Sequence, residues 1–178
     1  MRKFRILTFL VILAQTVFGQ TWKPQTAIVS FKIKHSLGAT ATGYFKGFIG
    51  SVNFDPANLA TASIKASVDT KTVDTDNSIR DKIIKDKSYF DVEKFGKISM
   101  VSTKIEKGSA DNEFIGYFNL TIKNTTKSVK LPFVFSQTAD KATFKGSIQV
   151  NRIDYGIGEK SALLGDVATI SITLNTQQ

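Results

Sequence analysis

Residues 31–55, FKIKHSLGATATGYFKGFIGSVNFD, constrain the fold more than any other stretch of the chain. They are typical of two long β-strands joined by a turn of small residues. Around the first strand, inward and outward side chains alternate with a period of two, which indicates a strand with one buried face. The inward set is Val29, Phe31, Ile33 and His35, and the outward set is Ser30, Lys32 and Lys34. One face of this hairpin is therefore predicted to line an apolar interior.

The return strand carries three glycines among its aromatic residues, Gly43, Gly47 and Gly50. Glycine inside an apolar strand usually marks a bulge or a sharp bend. A sheet needs such bends when it curls into a barrel. We therefore expect this hairpin to belong to a strongly curled sheet.

The rest of the chain continues the alternation, with one interruption. Residues 78–87 place Ile79, Ile83 and Ile84 at helical spacing after capping residues at 74–77, which predicts a short amphipathic helix. Eight strands are predicted, at 27–35, 41–55, 60–69, 97–107, 113–123, 127–138, 141–152 and 166–176. Because hairpin connections join most of them, the predicted fold is all-β: an eight-stranded antiparallel up-and-down barrel with one short helical excursion between strands 3 and 4.

The N-terminus predicts a secretory signal peptide over residues 1–19. Three cationic residues precede an apolar run at 6–13, and cleavage is expected after Gly19. A retained membrane anchor is the alternative, but the run is shorter than the ~20 residues that a span needs. Residues 20–178 are then expected as one periplasmic or secreted domain with no stable membrane span.

Charge and cysteine content narrow the function classes. Of the 24 Lys and Arg residues, 21 lie beyond the signal segment and face 15 Asp and Glu residues, which leaves a net charge of +6 on residues 20–178. The lysines alternate with apolar residues along strands, as on a solvated outer face, and form no cluster with stacking aromatic residues. Nucleic-acid binding is therefore not expected. The absence of cysteine excludes disulfides, thiolate metal sites and a lipidated cysteine.

The sequence holds few residues suited to catalysis. His35 is the only histidine, so a Cys-His pair is excluded and any catalytic triad would have to use a residue inside a strand. No nucleophile elbow, phosphate-binding loop, dinucleotide fingerprint or run of metal ligands is present. We therefore predict a protein that is not an enzyme and has no catalytic residue, metal or cofactor. A carboxylate pair assembled by folding around Asp81 remains the catalytic alternative.

Phenylalanine is abundant, with 14 residues repeated along the predicted inward faces. An eight-stranded barrel can fill its interior with side chains or enclose one small ligand, and both remain open at this point. Strands of about ten residues at ~3.3 Å per residue make a tube ~30 Å long, which suits an elongated hydrocarbon. Trp22, in the segment that enters the first strand, is expected to close one end.

Topology predicts a polar opening. The odd-numbered strands of an up-and-down barrel end at the same mouth, which brings together His35, Asp69 and Arg152. Arg80 and Asp81 on the predicted helix lie close by. We expect this group to hold a polar or anionic head group. The alternative is structural: Arg80 and Asp81 form a local pair, and Arg152 forms a salt bridge at the rim.

Three stretches resemble the YceI-like family of secreted bacterial proteins, also described as polyisoprenoid-binding. They are FKIKHSLGATATGYFKGFIGSVNFD, then SIRDKIIKDKSYFDVEKFGKISMVS, and finally LTIKNTTKSVKLPF with VNRIDYGIG and GDVATISITL. The residues that stand where the family has like residues are His35, Gly43, Phe45, Phe48, Gly50, Asp55, Arg80, Asp81, Phe90, Asp91, Arg152 and Gly156. The resemblance covers about residues 22–175 and implies a lipocalin-like barrel.

Family membership would imply binding of a long-chain amphiphile, such as an isoprenoid quinone or a prenyl phosphate, in the bacterial envelope. The residues expected to line the tube are Phe31, Ile33, Phe45, Phe48, Val52, Phe118, Phe133, Phe144 and Ile148. Those expected at the polar mouth are His35, Arg80, Asp81 and Arg152. Two alternatives stay open: an enzyme with His35 or Asp81 as acid or base, and a filled barrel that serves as an envelope stress or protein-interaction module. A homodimer also stays open.

Overall fold

A computed structural model describes residues 20–36 and 38–178. The predicted signal peptide at 1–19 lies outside the described residues, as does position 37 in the predicted turn. The elements in chain order are β1 Thr21–His35, β2 Thr40–Phe45, β3 Ile49–Asn53, β4 Ser63–Asp69, α1 Ser78–Lys85, β5 Lys97–Lys107, β6 Glu113–Ile122, β7 Thr125–Thr138, β8 Lys141–Asn151 and β9 Leu164–Gln177. None of the helices in this part of the chain is long and apolar enough to cross a bilayer.

The strands form one closed antiparallel barrel. From β3 to β9 each strand pairs with the next one in sequence, and β9 pairs with β1 from Lys23 to His35. β2 and β3 are two segments of one barrel strand, because β2 pairs with the second half of β1 while β3 pairs with Thr21 and Trp22. The barrel is therefore eight-stranded, and the predicted all-β fold with a single helical excursion is confirmed.

The predicted strand at 41–55 is wrong in one respect, because it breaks at residues 46–48. Gly47 adopts a φ of +66°, a left-handed conformation that suits glycine. At Lys46, just before this kink, the Thr72 side chain takes the place of a neighbouring strand. The backbone N–H of Lys46 donates to Thr72 Oγ1 at 2.9 Å, and the Thr72 hydroxyl lies 2.7 Å from the Lys46 carbonyl oxygen. The second strand thus splits where a residue from a distant segment takes over its hydrogen bonds.

The segment before α1 occupies the space beside β2. β2 forms an isolated bridge with this segment through reciprocal backbone hydrogen bonds between Tyr44 and Asp74, at 2.9 and 3.0 Å. The side chain of Asn77 then caps α1 by accepting from the backbone N–H groups of Ile79 and Arg80. The predicted helix start is confirmed, and the helix ends at Lys85.

Aromatic rings fill the end of the barrel where β1 begins. The rings belong to Trp22, Phe54, Phe114, Phe133, Phe135 and Phe144. Phe54 is fully buried, and its ring centroid lies 4.9–5.8 Å from those of four other phenylalanines. Trp22 is 1% exposed and donates its indole N–H to the Phe54 carbonyl oxygen. The expectation that Trp22 closes one end is confirmed.

Candidate functional site

The half of the barrel near the end of β1 encloses a cavity of about 590 Å³. This volume falls in the range of roughly 300–1,000 Å³ that is typical of small-molecule sites. All nine residues predicted to line the tube border it: Phe31, Ile33, Phe45, Phe48, Val52, Phe118, Phe133, Phe144 and Ile148. Their location agrees with the sequence analysis, and their contact with a ligand stays a prediction.

Small inward residues leave this space open. Ala41, Ala66, Gly146 and Ala168 all border the cavity, whereas large rings occupy the opposite end. At position 146 a side chain is also excluded on steric grounds, because a Cβ on Gly146 would lie 2.8 Å from the carbonyl oxygen of Pro132. The interior is therefore packed at one end and hollow at the other.

Helix α1 forms one side of the cavity mouth. Ile79, Arg80, Ile83 and Ile84 all border the cavity. Ile84 also packs against the core, whereas Ile79 and Ile83 are exposed. The mouth therefore has an apolar edge that faces outward.

The Asp74 carboxylate anchors the start of this helical segment. It accepts hydrogen bonds from the backbone N–H of Asp76, the hydroxyl of Tyr44 and the ammonium of Lys46, at 3.0–3.2 Å. The bond from the Asp76 backbone, followed by those from Tyr44 and Lys46, holds the pKa of Asp74 below its usual range. The carboxylate is thus charged at neutral pH and ties the segment to β2.

His35 lies at the last position of β1 and is half-buried against the cavity. Its backbone N–H donates to the Ala39 carbonyl oxygen at 2.8 Å, which fixes the turn that follows. No hydrogen bond joins its imidazole to another residue of the described ranges. The ring nitrogens are therefore available to a ligand in the cavity.

Arg80 and Asp81 are joined through Thr75 rather than directly. Arg80 Nε donates to Thr75 Oγ1 and Arg80 Nη2 donates to the Thr75 carbonyl oxygen, both at 2.9 Å. The Thr75 hydroxyl in turn donates to Asp81 Oδ1 at 2.6 Å, and the Thr75 backbone N–H donates to the same oxygen at 3.0 Å. Arg80 borders the cavity, but Asp81 does not. Both hydrogen bonds that Asp81 Oδ1 accepts come from Thr75, whereas Arg80 Nη1 donates no hydrogen bond within the described part of the chain.

Arg152 borders the cavity but is held by the connection between β8 and β9. It is 4% exposed. Its Nε donates to the Gly165 carbonyl oxygen and its Nη1 donates to that of Ile157, both at 2.9 Å. Its Nη2 lies 3.3 Å from the Leu164 carbonyl oxygen and 3.5 Å from Asp166 Oδ1. The predicted rim position is observed, and most of the guanidinium is used to hold the loop.

The charges that border the cavity are of one sign. The titratable lining residues are His35, Arg80, Tyr89 and Arg152, and no carboxylate of the described residues is among them. These groups are predominantly hydrogen-bond donors, so the cavity mouth favours a head group rich in acceptor oxygens. Residues 20–36 and 38–178 contain no group of three His, Cys, Asp or Glu side chains placed to hold a metal ion.

The sequence analysis missed Thr75 and Tyr89. Thr75 is 3% exposed, yet its neighbours suggested only a helix-capping segment. Tyr89 borders the cavity beside Arg152, and both approach Gly158. Neither residue had a local sequence pattern that identified it, because the burial of Thr75 and the position of Tyr89 beside Arg152 result from the folding of distant segments.

Comparisons with known proteins agree with this architecture. A UPF0312 protein of Enterobacter sp. (strain 638) is 31% identical over 139 residues, which cover 75% of this chain and 71% of that protein. A UPF0312 protein of Yersinia pestis (strain Pestoides F) is 36% identical over 107 residues, or 60% of this chain. That match spans 55%, about half, of the Yersinia protein's own length.

Solved structures share the barrel. BcnA of Burkholderia cenocepacia superposes with a TM-score of 0.79 at 25% identity and covers 84% of this chain and 95% of its own. A domain of Saccharophagus degradans described as polyisoprenoid binding superposes with a TM-score of 0.67 at 10% identity, covering 90% and 99%. The sequence model of the family described as YceI-like domain matches residues 21–176 of this chain. The chain therefore belongs to the YceI-like family.

Proposed function

We propose that this protein binds a long-chain isoprenoid lipid in the bacterial envelope and sequesters or carries it without changing it chemically. The observation that carries the proposal is the cavity of about 590 Å³, which is lined mainly by aliphatic and aromatic side chains and closed at one end by the packed rings around Trp22 and Phe54. Each buried methylene of a tail would contribute ~0.8 kcal/mol. The hollow interior also argues against the filled-barrel alternative.

The head group would lie at the mouth. Arg80 and His35 have nitrogen atoms that the described residues leave without partners, and both border the cavity. Phosphate oxygens or quinone carbonyls accept hydrogen bonds from such donors. A prenyl phosphate or an isoprenoid quinone therefore fits the donor set better than a cationic amphiphile, which the guanidinium groups would repel.

Two further observations support a binding role. The Saccharophagus domain, which shares the fold, is described as polyisoprenoid binding. Most of the side chains that border the cavity are aliphatic or aromatic, as a site for an apolar tail requires. The envelope location depends on the predicted signal peptide at 1–19.

A matched pair of substitutions on β9 tests the proposal. Ala168 borders the cavity, whereas its neighbour Val167 points outward and is 47% exposed. Ala168→Phe should fill the cavity and weaken binding of geranylgeranyl phosphate by about tenfold or more, while Val167→Phe should leave it unchanged. Native mass spectrometry would count the bound lipid, and circular dichroism would verify folding. Equal binding by both folded variants, or recovery of a chemically altered lipid, would contradict the proposal.

A further inference from the structure

Helix α1 exposes two isoleucines at the cavity mouth. The exposed fractions of Ile79 and Ile83 are 73% and 51%, although both residues also border the cavity. They are four residues apart and therefore lie on the same helix face. The cavity thus opens beside an apolar strip that the described residues leave uncovered.

Lys82 lies one helical turn from Ile79, beside this strip, and Lys85 lies one turn from Lys82. The residues of α1 include three cations, Arg80, Lys82 and Lys85, and one carboxylate, Asp81. The hydrogen bonds from Thr75 occupy that carboxylate. Neither Lys82 nor Lys85 forms a salt bridge within residues 20–36 and 38–178. The helix itself therefore carries a net positive charge beside the apolar strip, and the exposed carboxylates Asp76 and Asp86 lie just outside its two ends.

We propose that Ile79 and Ile83, with Lys82 and Lys85, form a docking surface for an anionic phospholipid bilayer. Helices with exposed apolar residues beside lysines bind at the membrane interface, where the side chains enter the boundary region and the lysines meet anionic head groups. A second copy of this chain is a poorer occupant, because each copy carries a net charge of +6 over residues 20–178 and the lysine flanks would repel.

Docking in this orientation would place the cavity mouth against the bilayer. An isoprenoid tail could then pass between membrane and barrel without crossing water, where its apolar surface is unfavourable. This inference rests on the proposed function, because it assigns the mouth a source for its lipid.

Vesicle co-sedimentation of residues 20–178 tests the docking surface. The probes are vesicles of phosphatidylcholine with phosphatidylglycerol, and vesicles of phosphatidylcholine alone. The chain should bind the anionic vesicles, and Ile79→Ser with Ile83→Ser should weaken binding by about tenfold or more. The control is Ile28→Ser with Ile49→Ser, since these isoleucines are 61% and 64% exposed on the barrel wall. Equal loss in both double variants, or no binding by the unsubstituted chain, would overturn the proposal.

A second variant adds apolar surface instead of removing it. In Ile79→Trp the new indole should shift its emission to the blue on anionic vesicles, whereas Ile28→Trp should not. Trp22 contributes a constant background because it is buried at the opposite end. Absence of a shift at position 79 in the folded variant would contradict docking through this face.

Substitution of the two lysines distinguishes membrane docking from lipid binding in the cavity. Lys82→Gln with Lys85→Gln should weaken vesicle binding by about fivefold for each lysine removed, with a weaker salt dependence. The same variant should bind detergent-dispersed geranylgeraniol normally, because neither lysine borders the cavity. Lys65→Gln with Lys145→Gln on the barrel wall is the matched control.

Geranylgeraniol binding without vesicle binding would overturn the docking alone, whereas vesicle binding without geranylgeraniol binding would overturn the lipid carrier alone. Self-association that responds to Ile79 and Ile83, in place of vesicle binding, would assign the strip to a dimer.

Discussion

Trp22 donates its indole N–H to the carbonyl oxygen of Phe54 at 2.9 Å, and this buried bond links the start of the barrel to the residue that follows β3. The bond holds the aromatic cluster that closes one end of the barrel. Because that end is filled, the cavity has its mouth at the other end, beside α1. The position of the candidate site therefore depends on where the large rings lie.

Trp22→Phe should destabilise the fold by about 1–3 kcal/mol. The substitution retains an aromatic ring but leaves the buried Phe54 carbonyl without this donor, and an unsatisfied buried group costs that much. Urea unfolding followed by circular dichroism would measure the change, because the variant lacks the chain's only tryptophan. Ile28→Val on the outer wall should change stability by less than about 0.5 kcal/mol. Equal stabilities of both variants would show that the indole bond does not hold the closed end.

Arg152→Lys should lower the free energy of unfolding by about 3 kcal/mol. A lysine ammonium cannot reproduce the planar fork that reaches three backbone carbonyls and Asp166, and hydrogen bonds to charged groups contribute ~1.5–3 kcal/mol each. Arg80→Lys is the matched control and should cost about 1 kcal/mol, since Arg80 is only partly buried and donates to Thr75 alone. Chemical denaturation of both variants would compare them. A larger loss in Arg80→Lys would contradict the structural role of Arg152.

Arg80→Gln should weaken binding of geranylgeranyl phosphate by about tenfold, because a charge-assisted hydrogen bond contributes ~1.5 kcal/mol or more. Binding of geranylgeraniol, which has the same tail and no phosphate, should change little. Isothermal titration calorimetry with both ligands would separate the head-group effect from the tail effect. Lys82→Gln, which removes a nearby cation outside the cavity, is the control. An equal loss for both ligands would contradict a head-group role for Arg80.

Asp74→Asn should destabilise the fold at neutral pH but not in acid. The pKa of Asp74 is lower in the folded chain than the ordinary aspartate value of 3.8, so the charged carboxylate stabilises the fold above about pH 4. That contribution is lost as the pH falls through the depressed pKa, where protonated Asp74 resembles asparagine. Thermal unfolding at pH 6 and at about pH 2 would compare the two chains. A difference that persists unchanged at about pH 2 would contradict the electrostatic assignment.

The alternation of inward and outward side chains along the strands explains how much of the fold could be predicted. Alternation alone fixes which face of a strand is buried, so the inward residues of β6 to β8, such as Phe118, Phe133 and Phe144, were identified correctly. The start of β1 at Thr21 was missed, because the alternation is weak before residue 27. The break at 46–48 was also missed, since its hydrogen bonds come from Thr72, which is 26 residues away from Lys46.

The candidate site shows a similar limit. The strand alternation predicts that His35 and Arg152 point into the barrel, and both residues border the cavity. The partners of Arg152 are largely backbone carbonyls in the β8–β9 connection, and no side-chain pattern reports where those carbonyls point. Asp81 was expected at the mouth with Arg80, but its pairing with Thr75 depends on how the segment before α1 folds back.

Native mass spectrometry of the mature protein, purified from the envelope of its own host and followed by organic extraction, tests the central claim most directly. We predict one isoprenoid lipid per barrel, released chemically intact, with a tail that occupies the cavity of about 590 Å³. An empty protein that also fails to take up geranylgeranyl phosphate or a prenyl quinone on addition would contradict the account.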